Sequence, residues 1–205
     1  MATLLSATNA NEIETHPLKP FLPEGAQVLF LGSFPPPKTR WCMDFYYPNW
    51  INDMWRILGL IFEGDKDALI LKDEKRFDYE KVVKFCMEHK IAIYDAAHKV
   101  RREKGNASDK FLTIIEPTDL VALLSKIPDC KAVVSTGGKS AETIAEMLGC
   151  KVPATGSYTD FTVQSISRPM RFYRMPSSSR AYPMSIDKKA IAYSRMFTDL
   201  NLIQK

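Results

Sequence analysis

Short apolar runs, each bounded by polar or turn residues, recur along this chain and predict its strands. The strongest runs are 28–31, 91–94 and 132–135. Because runs that are apolar on both faces are typical of parallel strands covered by helices, we expect these three at the centre of a sheet. Two further strands are expected at 161–166 and 171–175, on either side of a turn.

Between the strands, apolar residues recur at intervals of three and four and predict amphipathic helices. Each predicted helix follows a residue type that can accept a hydrogen bond from a free amide at a helix start. The candidate N-cap residues are Asn49, Asp78, Thr118 and Ser185. In the first of these helices we expect Ile51 to face the core and Asn52 to lie in the first turn. The charged segment 98–110 predicts a solvated connection.

The alternation of strands and helices predicts an α/β fold, a three-layer α/β/α sandwich around a mostly parallel sheet. We expect one domain over 1–205, with 1–20 at its periphery, because no repeat or composition shift divides the chain. Ligands of such sheets bind beyond the carboxyl ends of the strands. The candidate loops therefore follow Leu31, Tyr94, Ser135 and Met175.

Composition narrows the class of protein further. The chain has 205 residues, of which 45% are hydrophobic and 25% charged, and a formal net charge of +4. That charge is compatible with nucleic-acid binding but does not require it. No apolar stretch reaches the ~18 residues of a membrane span, and 1–17 lacks the pattern of a signal peptide. We therefore expect a cytoplasmic monomer, associated with the nucleoid if the source is bacterial.

The potential metal ligands are dispersed along the sequence. Cys42, Cys86, Cys130 and Cys150 form no CxxC pair, so we expect reduced thiols. The three histidines, His16, His89 and His98, show no spacing typical of a metal site. The sequence therefore predicts neither a metal nor any other cofactor.

Two of the four candidate loops have an unusual composition. The first, 32–55, begins with Gly-Ser-Phe-Pro, contains three consecutive prolines and continues through an aromatic cluster. The second, 175–183, carries three consecutive serines between prolines. Small hydroxyl residues in a tight loop can approach phosphates closely, and aromatic rings in a loop can stack on bases.

The two loops and the segments between them, taken in their order along the chain, resemble the uracil-DNA glycosylase superfamily. The nearest branches are the mismatch-specific thymine/uracil and the hypoxanthine-DNA glycosylases. The resemblance covers most of the chain. It rests on the Gly-Ser-Phe-Pro loop, the aromatic-Asn-Trp helix start, and the segments 92–95, 135–138 and 175–179.

The resemblance implies a role for each motif in removing a damaged or mismatched base, such as uracil or hypoxanthine, from DNA. Asn52 matches the asparagine that positions the attacking water. The implied base pocket comprises Gly32, Ser33, Phe34, Pro35, Tyr47 and Asp95, with Phe34 stacking on the extruded base. The implied DNA-binding residues are Ser177, Ser178, Ser179, Arg180 and Arg174. The expected partner is damaged or mismatched DNA, double- or single-stranded, and the expected reaction is base hydrolysis that leaves the abasic strand intact.

Departures from the family pattern leave alternatives open. Phe34 stands where mismatch-type members carry an asparagine, and serines replace the histidine of the fastest uracil enzymes. The order Arg180-Ala181 is reversed relative to the thymine-specific enzymes. One alternative is a DNA-binding module without activity, in which Asn52 only satisfies free amides at a helix start. Another is a nucleotide hydrolase or transferase, although its usual glycine-rich phosphate loops are absent.

Overall fold

The computed structural model describes residues 12–103, 111–163 and 165–204. The strands are β1 (Ile13–Thr15), β2 (Val28–Gly32), β3 (Ile70–Leu71), β4 (Arg76–Phe77), β5 (Ile91–Asp95), β6 (Ala97–Arg102), β7 (Leu112–Pro117), β8 (Ala132–Ser135), β9 (Ser157–Thr162) and β10 (Pro169–Arg174). The α-helices are α1 (Met54–Glu63), α2 (Tyr79–Glu88), α3 (Leu120–Ser125), α4 (Gly138–Leu148) and α5 (Ile186–Asp199).

The central sheet has five strands in the order β5-β2-β8-β10-β9. Strand β2 pairs in parallel with both β5 and β8, and β10 pairs in parallel with β8. Only β9 runs antiparallel to its neighbour. Every residue of β2 and β5 is buried, because helices cover both faces of the sheet. The predicted three-layer α/β/α architecture is confirmed.

The helices begin close to their predicted caps in two cases. Asp78 and Ser185 each accept a hydrogen bond from the amide three residues later, at the starts of α2 and α5. For α3 the prediction was wrong by one residue, because Asp119 is the cap. The Thr118 hydroxyl instead donates to the carbonyl of Asp95 at 2.7 Å, which connects this loop to the end of β5.

Helix α1 begins later than the pattern predicts. Asn49 pairs with Trp41, and Asn52 pairs with Ser179, each in an isolated β-bridge. Between these pairings the Asn52 amide donates to the Asn49 carbonyl at 2.8 Å. Residues 49–52 therefore form a turn, and the first helical residue is Met54. Ile51 is 52% exposed and is not part of the core-facing stripe, contrary to the prediction.

The prediction of a solvated connection was wrong for 98–102, and 104–110 lie outside the described residues. Strand β6 is the middle strand of a second sheet, between β1 and β7. Its charges obscure an alternating pattern in which Val100 and Arg102 are buried. Burial of Arg102 is offset by an ion pair with Glu14 at 2.9 Å. The strand predicted at 161–166 is displaced, because β9 ends at Thr162 and overlaps the prediction only at 161 and 162. The strand predicted at 171–175 corresponds to β10, which begins two residues earlier and ends at Arg174.

Among the residues that the structure describes, no helix combines the length and apolar character that a membrane crossing demands.

Candidate functional site

A cavity of about 690 Å³ opens at the carboxyl ends of four parallel strands. Gly32 ends β2, Asp95 ends β5, Thr136 follows β8 and Met175 follows β10, and all four line the cavity. These are the four loops that sheet geometry singles out for ligand binding. The volume lies within the range of small-molecule sites.

Gly32 and Asp95 are in close contact at the inner end of this cavity. A Cβ added to Gly32 would overlap with Asp95 Oδ1. Only glycine therefore allows the carboxylate to lie against the backbone of the Gly-Ser-Phe-Pro loop. Asp95 is 6% exposed, so the cavity contains a buried acidic group.

His16 lies near the start of the described residues and contacts Asp95. Its Nε2 lies 2.9 Å from Asp95 Oδ2, and its Nδ1 lies 2.9 Å from the carbonyl oxygen of Leu18. His16 is 8% exposed, although most of its neighbours lie at the surface. Sequence reasoning missed this residue because 79 positions separate it from Asp95 and because nothing in its spacing indicates a partner.

Tyr47 contributes a phenol ring beside Gly32. Its backbone has a φ of 48°, a conformation that is costly for an aromatic residue and persists only where surrounding contacts impose it. The Tyr47 hydroxyl lies 3.1 Å from Thr136 Oγ1. Burial, and then the charge of Asp95, raise the pKa of Tyr47 well above its usual value, so the phenol stays neutral.

Phe34 lines the cavity and also packs against the second sheet. Its ring lies edge-on to His16, with centroids 5.3 Å apart, and contacts the cluster formed by Ala97 and Val100. Arg102 donates to the carbonyl of Pro35 at 2.9 Å. The second sheet therefore positions the Gly-Ser-Phe-Pro loop.

Asn52 lines the cavity immediately before α1 rather than in its first turn. Its Oδ1 accepts a hydrogen bond from the Met54 amide at 2.9 Å. This is the structural role that the alternative interpretation assigned to it. Arg56 donates to the Asn52 carbonyl at 3.1 Å, so both the side chain and the backbone of Asn52 are held in place.

The serine loop, 177–179, is hydrogen-bonded to the segment that carries Asn52. The Asp53 amide donates to the Ser178 carbonyl at 2.8 Å, and the Arg180 amide donates to the Ile51 carbonyl at 3.2 Å. Ser177 Oγ accepts from the Ser179 amide, and Ser179 Oγ accepts from the Ala181 amide. The hydroxyl hydrogens of these two serines remain able to donate to a ligand.

The remaining predicted DNA-binding residues have different surroundings. Ser178 is only 2% exposed, and its carbonyl accepts the hydrogen bond from the Asp53 amide. Arg174 lines the cavity and donates to the Pro153 carbonyl at 3.3 Å. Arg180 does not line the cavity; its guanidinium lies 2.9 Å from Asp53 Oδ1.

Asp53 is the centre of a charged group that sequence reasoning missed. Its Oδ2 lies 3.3 Å from Nζ of Lys189, a residue of α5 whose side chain is fully buried. Lys189 also donates to the Ser179 carbonyl at 2.8 Å. A lysine within an amphipathic helix predicts surface exposure, so its sequence context conceals this role.

The side chains that could bind a metal ion are dispersed over the described part of the structure. Across 12–103, 111–163 and 165–204, no three His, Cys, Asp or Glu side chains form a group that could hold a metal ion. Cys86 and Cys130 are buried, and burial raises the pKa of the Cys130 thiol to about 12.

No family model and no curated protein matches this chain. Its structure is similar to the solution NMR structure of a "putative Uracil DNA glycosylase" from Methanosarcina acetivorans, with a TM-score of 0.60. The match covers 93% of this chain and 99% of that chain at 21% sequence identity. At this identity the likeness concerns the fold alone. The architecture of this chain is thus the α/β/α sandwich that the Methanosarcina protein also has.

Proposed function

We propose that this chain is a monofunctional DNA glycosylase that extrudes a damaged or mismatched base and hydrolyses its N-glycosidic bond. One observation carries the proposal: a single cavity brings together Phe34, Asn52 and the serine loop. These are the aromatic, amide and hydroxyl groups that base stacking, water positioning and phosphate contact require. The similarity of fold to the Methanosarcina protein supports the same class of function.

The inner end of the cavity is suited to a flipped base. A base within a duplex is out of reach, so extrusion must precede chemistry and costs a few kcal/mol. Stacking on an aromatic ring such as that of Phe34 returns ~1–3 kcal/mol. Asp95 offers a hydrogen-bond acceptor, and Tyr47 offers a neutral hydroxyl. Such groups favour a base that presents N–H donors, as uracil and hypoxanthine do.

Asn52 is the proposed water-positioning residue. A carbonyl oxygen has two lone pairs, and the Met54 amide occupies only one of them at Asn52 Oδ1. The second can accept a hydrogen from water and turn the water's own lone pair toward the sugar carbon. Positive charge then develops on the sugar and negative charge on the departing base, which fixed donors around the pocket stabilise.

The phosphates beside the flipped nucleotide are assigned to Ser177 and Ser179. Each hydroxyl is oriented by the backbone amide that donates to it, and its hydrogen can point to a phosphate oxygen. Arg174 supplies positive charge at the same cavity. Phosphate contacts of this kind fix register on DNA without reading its sequence.

The test is an excision assay. Purified protein is incubated with oligonucleotides that carry uracil, hypoxanthine, xanthine or a thymine–guanine mismatch, single- and double-stranded. Alkali then cleaves any abasic site, and we expect cleaved strand for at least one of these bases. Binding without cleavage across the whole panel would favour the inactive DNA-binding module, which the structural bond between Asn52 and Met54 also supports.

A further inference from the structure

We infer that Arg180 is an exchangeable phosphate contact. In the free protein it pairs with Asp53, and on DNA binding its guanidinium transfers to a backbone phosphate while the buried Lys189 keeps the charge of Asp53 compensated. The inference deepens the proposed function, since it presumes that the serine loop faces DNA.

The two cations use different oxygens of Asp53. Arg180 donates through Nε and Nη2 to Oδ1, at 3.1 and 2.9 Å. Lys189 donates through Nζ to Oδ2 at 3.3 Å. The departure of Arg180 therefore leaves the bond between Lys189 and Asp53 in place.

The two cations that contact Asp53 differ in how deeply they are buried. The Lys189 side chain is fully buried, whereas that of Arg180 is 48% exposed. An ion pair with one exposed partner is held weakly, whereas a buried charge that loses its counter-ion is strongly penalised. The fork of N–H donors on arginine also matches the oxygens of a phosphate. Arg180 is thus the partner that can exchange.

Positive charge is in excess around Asp53. The guanidinium of Arg56 lies on the same segment and donates to the Asn52 carbonyl. Burial lowers the pKa of Arg56, and the positive charge of Arg180 lowers it further. Arg180 and Lys189 thus contact the Asp53 carboxylate directly, and Arg56 is close enough to interact electrostatically with Asp53 and Arg180. A phosphate that binds Arg180 adds negative charge to this group.

The backbone next to Arg180 is already fixed. Its amide donates to the Ile51 carbonyl at 3.2 Å, and it directly follows the proposed phosphate-binding hydroxyls of Ser177 and Ser179. Only the side chain must move for the exchange, so the serine loop can keep its conformation.

The test measures binding of an undamaged duplex by fluorescence anisotropy over a series of salt concentrations. Each phosphate contact contributes a slope of ~0.9 in the logarithm of affinity against the logarithm of salt concentration. We expect Arg180→Met to reduce the magnitude of this slope by ~0.9, the contribution of one phosphate contact. We expect Lys189→Met to lower it equally, because Arg180 then becomes the only cation on Asp53 and stays there, although Lys189 itself is buried.

A double variant separates exchange from a general effect on the fold. In Asp53→Asn with Lys189→Met the restraint on Arg180 is gone, so we expect the wild-type slope and tighter binding than wild type. The charge control is Lys84→Met on α2. This residue is exposed, pairs with Glu88 on the same helix and does not line the cavity, so the variant should leave the slope unchanged.

Three outcomes would overturn the inference: a wild-type slope in Arg180→Met, a wild-type slope in folded Lys189→Met, or a lowered slope in the double variant. If Lys189→Met fails to fold, the decision rests on Arg180→Met and the double variant. If the salt slopes are as expected but no base is excised, only the proposed hydrolysis is refuted. Failure of the wild type to bind DNA would refute both proposals.

Discussion

His16 Nε2 lies 2.9 Å from Asp95 Oδ2, although the two residues are 79 positions apart in the chain. The contact joins the edge of the second sheet to the inner end of the cavity. Because the same ring packs edge-on against Phe34, His16 positions both the acidic and the aromatic group of the proposed base pocket.

Replacing His16 with alanine should therefore affect both stability and activity. A buried carboxylate that loses one of its hydrogen-bond partners costs ~1–3 kcal/mol. We expect the free energy of unfolding in urea to fall by about that amount and base excision to slow. The control is His98→Ala. The ring of His98 lies 3.3 Å from the Tyr94 hydroxyl, so excision by this variant should stay near wild type.

Gly32→Ala should be poorly tolerated. The new methyl group would overlap with Asp95 Oδ1, and forced displacement in a packed interior costs ~1–3 kcal/mol. Gly138→Ala is the matched control, because it also lines the cavity but its Cβ would enter open space. Urea denaturation should separate the two variants, and equal stabilities would contradict the close contact.

Asn52→Ala should lower the excision rate by ~10²–10³, the usual cost of removing one preorganised hydrogen-bonding group from an active site. It also removes the bond to the Met54 amide, so a loss of ~0.5–2 kcal/mol in stability is expected. Asn52→Asp keeps an oxygen in that place. It should restore the melting temperature and recover part of the rate, measured in single-turnover assays. Wild-type excision by Asn52→Ala would disprove the catalytic assignment.

Stability should decline in alkaline solution because of buried phenols. Burial raises the pKa of Tyr94 to about 12 and that of Tyr47 well above its usual value. In the unfolded chain these tyrosines ionise near pH ~10. Their contribution is therefore complete below pH ~10 and is lost as the pH rises toward the folded-state values. Urea unfolding between pH 8 and 11 should show this decline, and Tyr47→Phe should show a shallower one.

The strands of the central sheet were predictable because burial on both faces leaves a continuous apolar run. Residues 28–31 and 91–94 satisfy that condition, and each observed strand adds only one residue. Strand β6 was not predictable, because the charge of Arg102 is compensated by Glu14, 88 positions away. The start of α1 was misplaced for a similar reason, since Asn52 pairs with the distant Ser179.

The candidate site was predictable only in outline. Sheet geometry brings the ends of β2, β5, β8 and β10 together, so the cavity could be located from the predicted carboxyl ends of the strands. The partners that hold its residues could not. His16 and Lys189 act through contacts with residues far away in the chain, and the sequence near each of them carries no periodicity or motif that would reveal such a contact.

The attachment of Lys189 to Asp53 and to the Ser179 carbonyl has a consequence for the order of assembly. During synthesis from the amino end, β2, β5, β8 and β10 all leave the ribosome before α5. Until residue 189 emerges, the Asp53 carboxylate and the serine loop lack their shared buried cation. The nascent chain can therefore form its sheet early, but Asp53 and the serine loop acquire their shared buried partner only when the last helix docks.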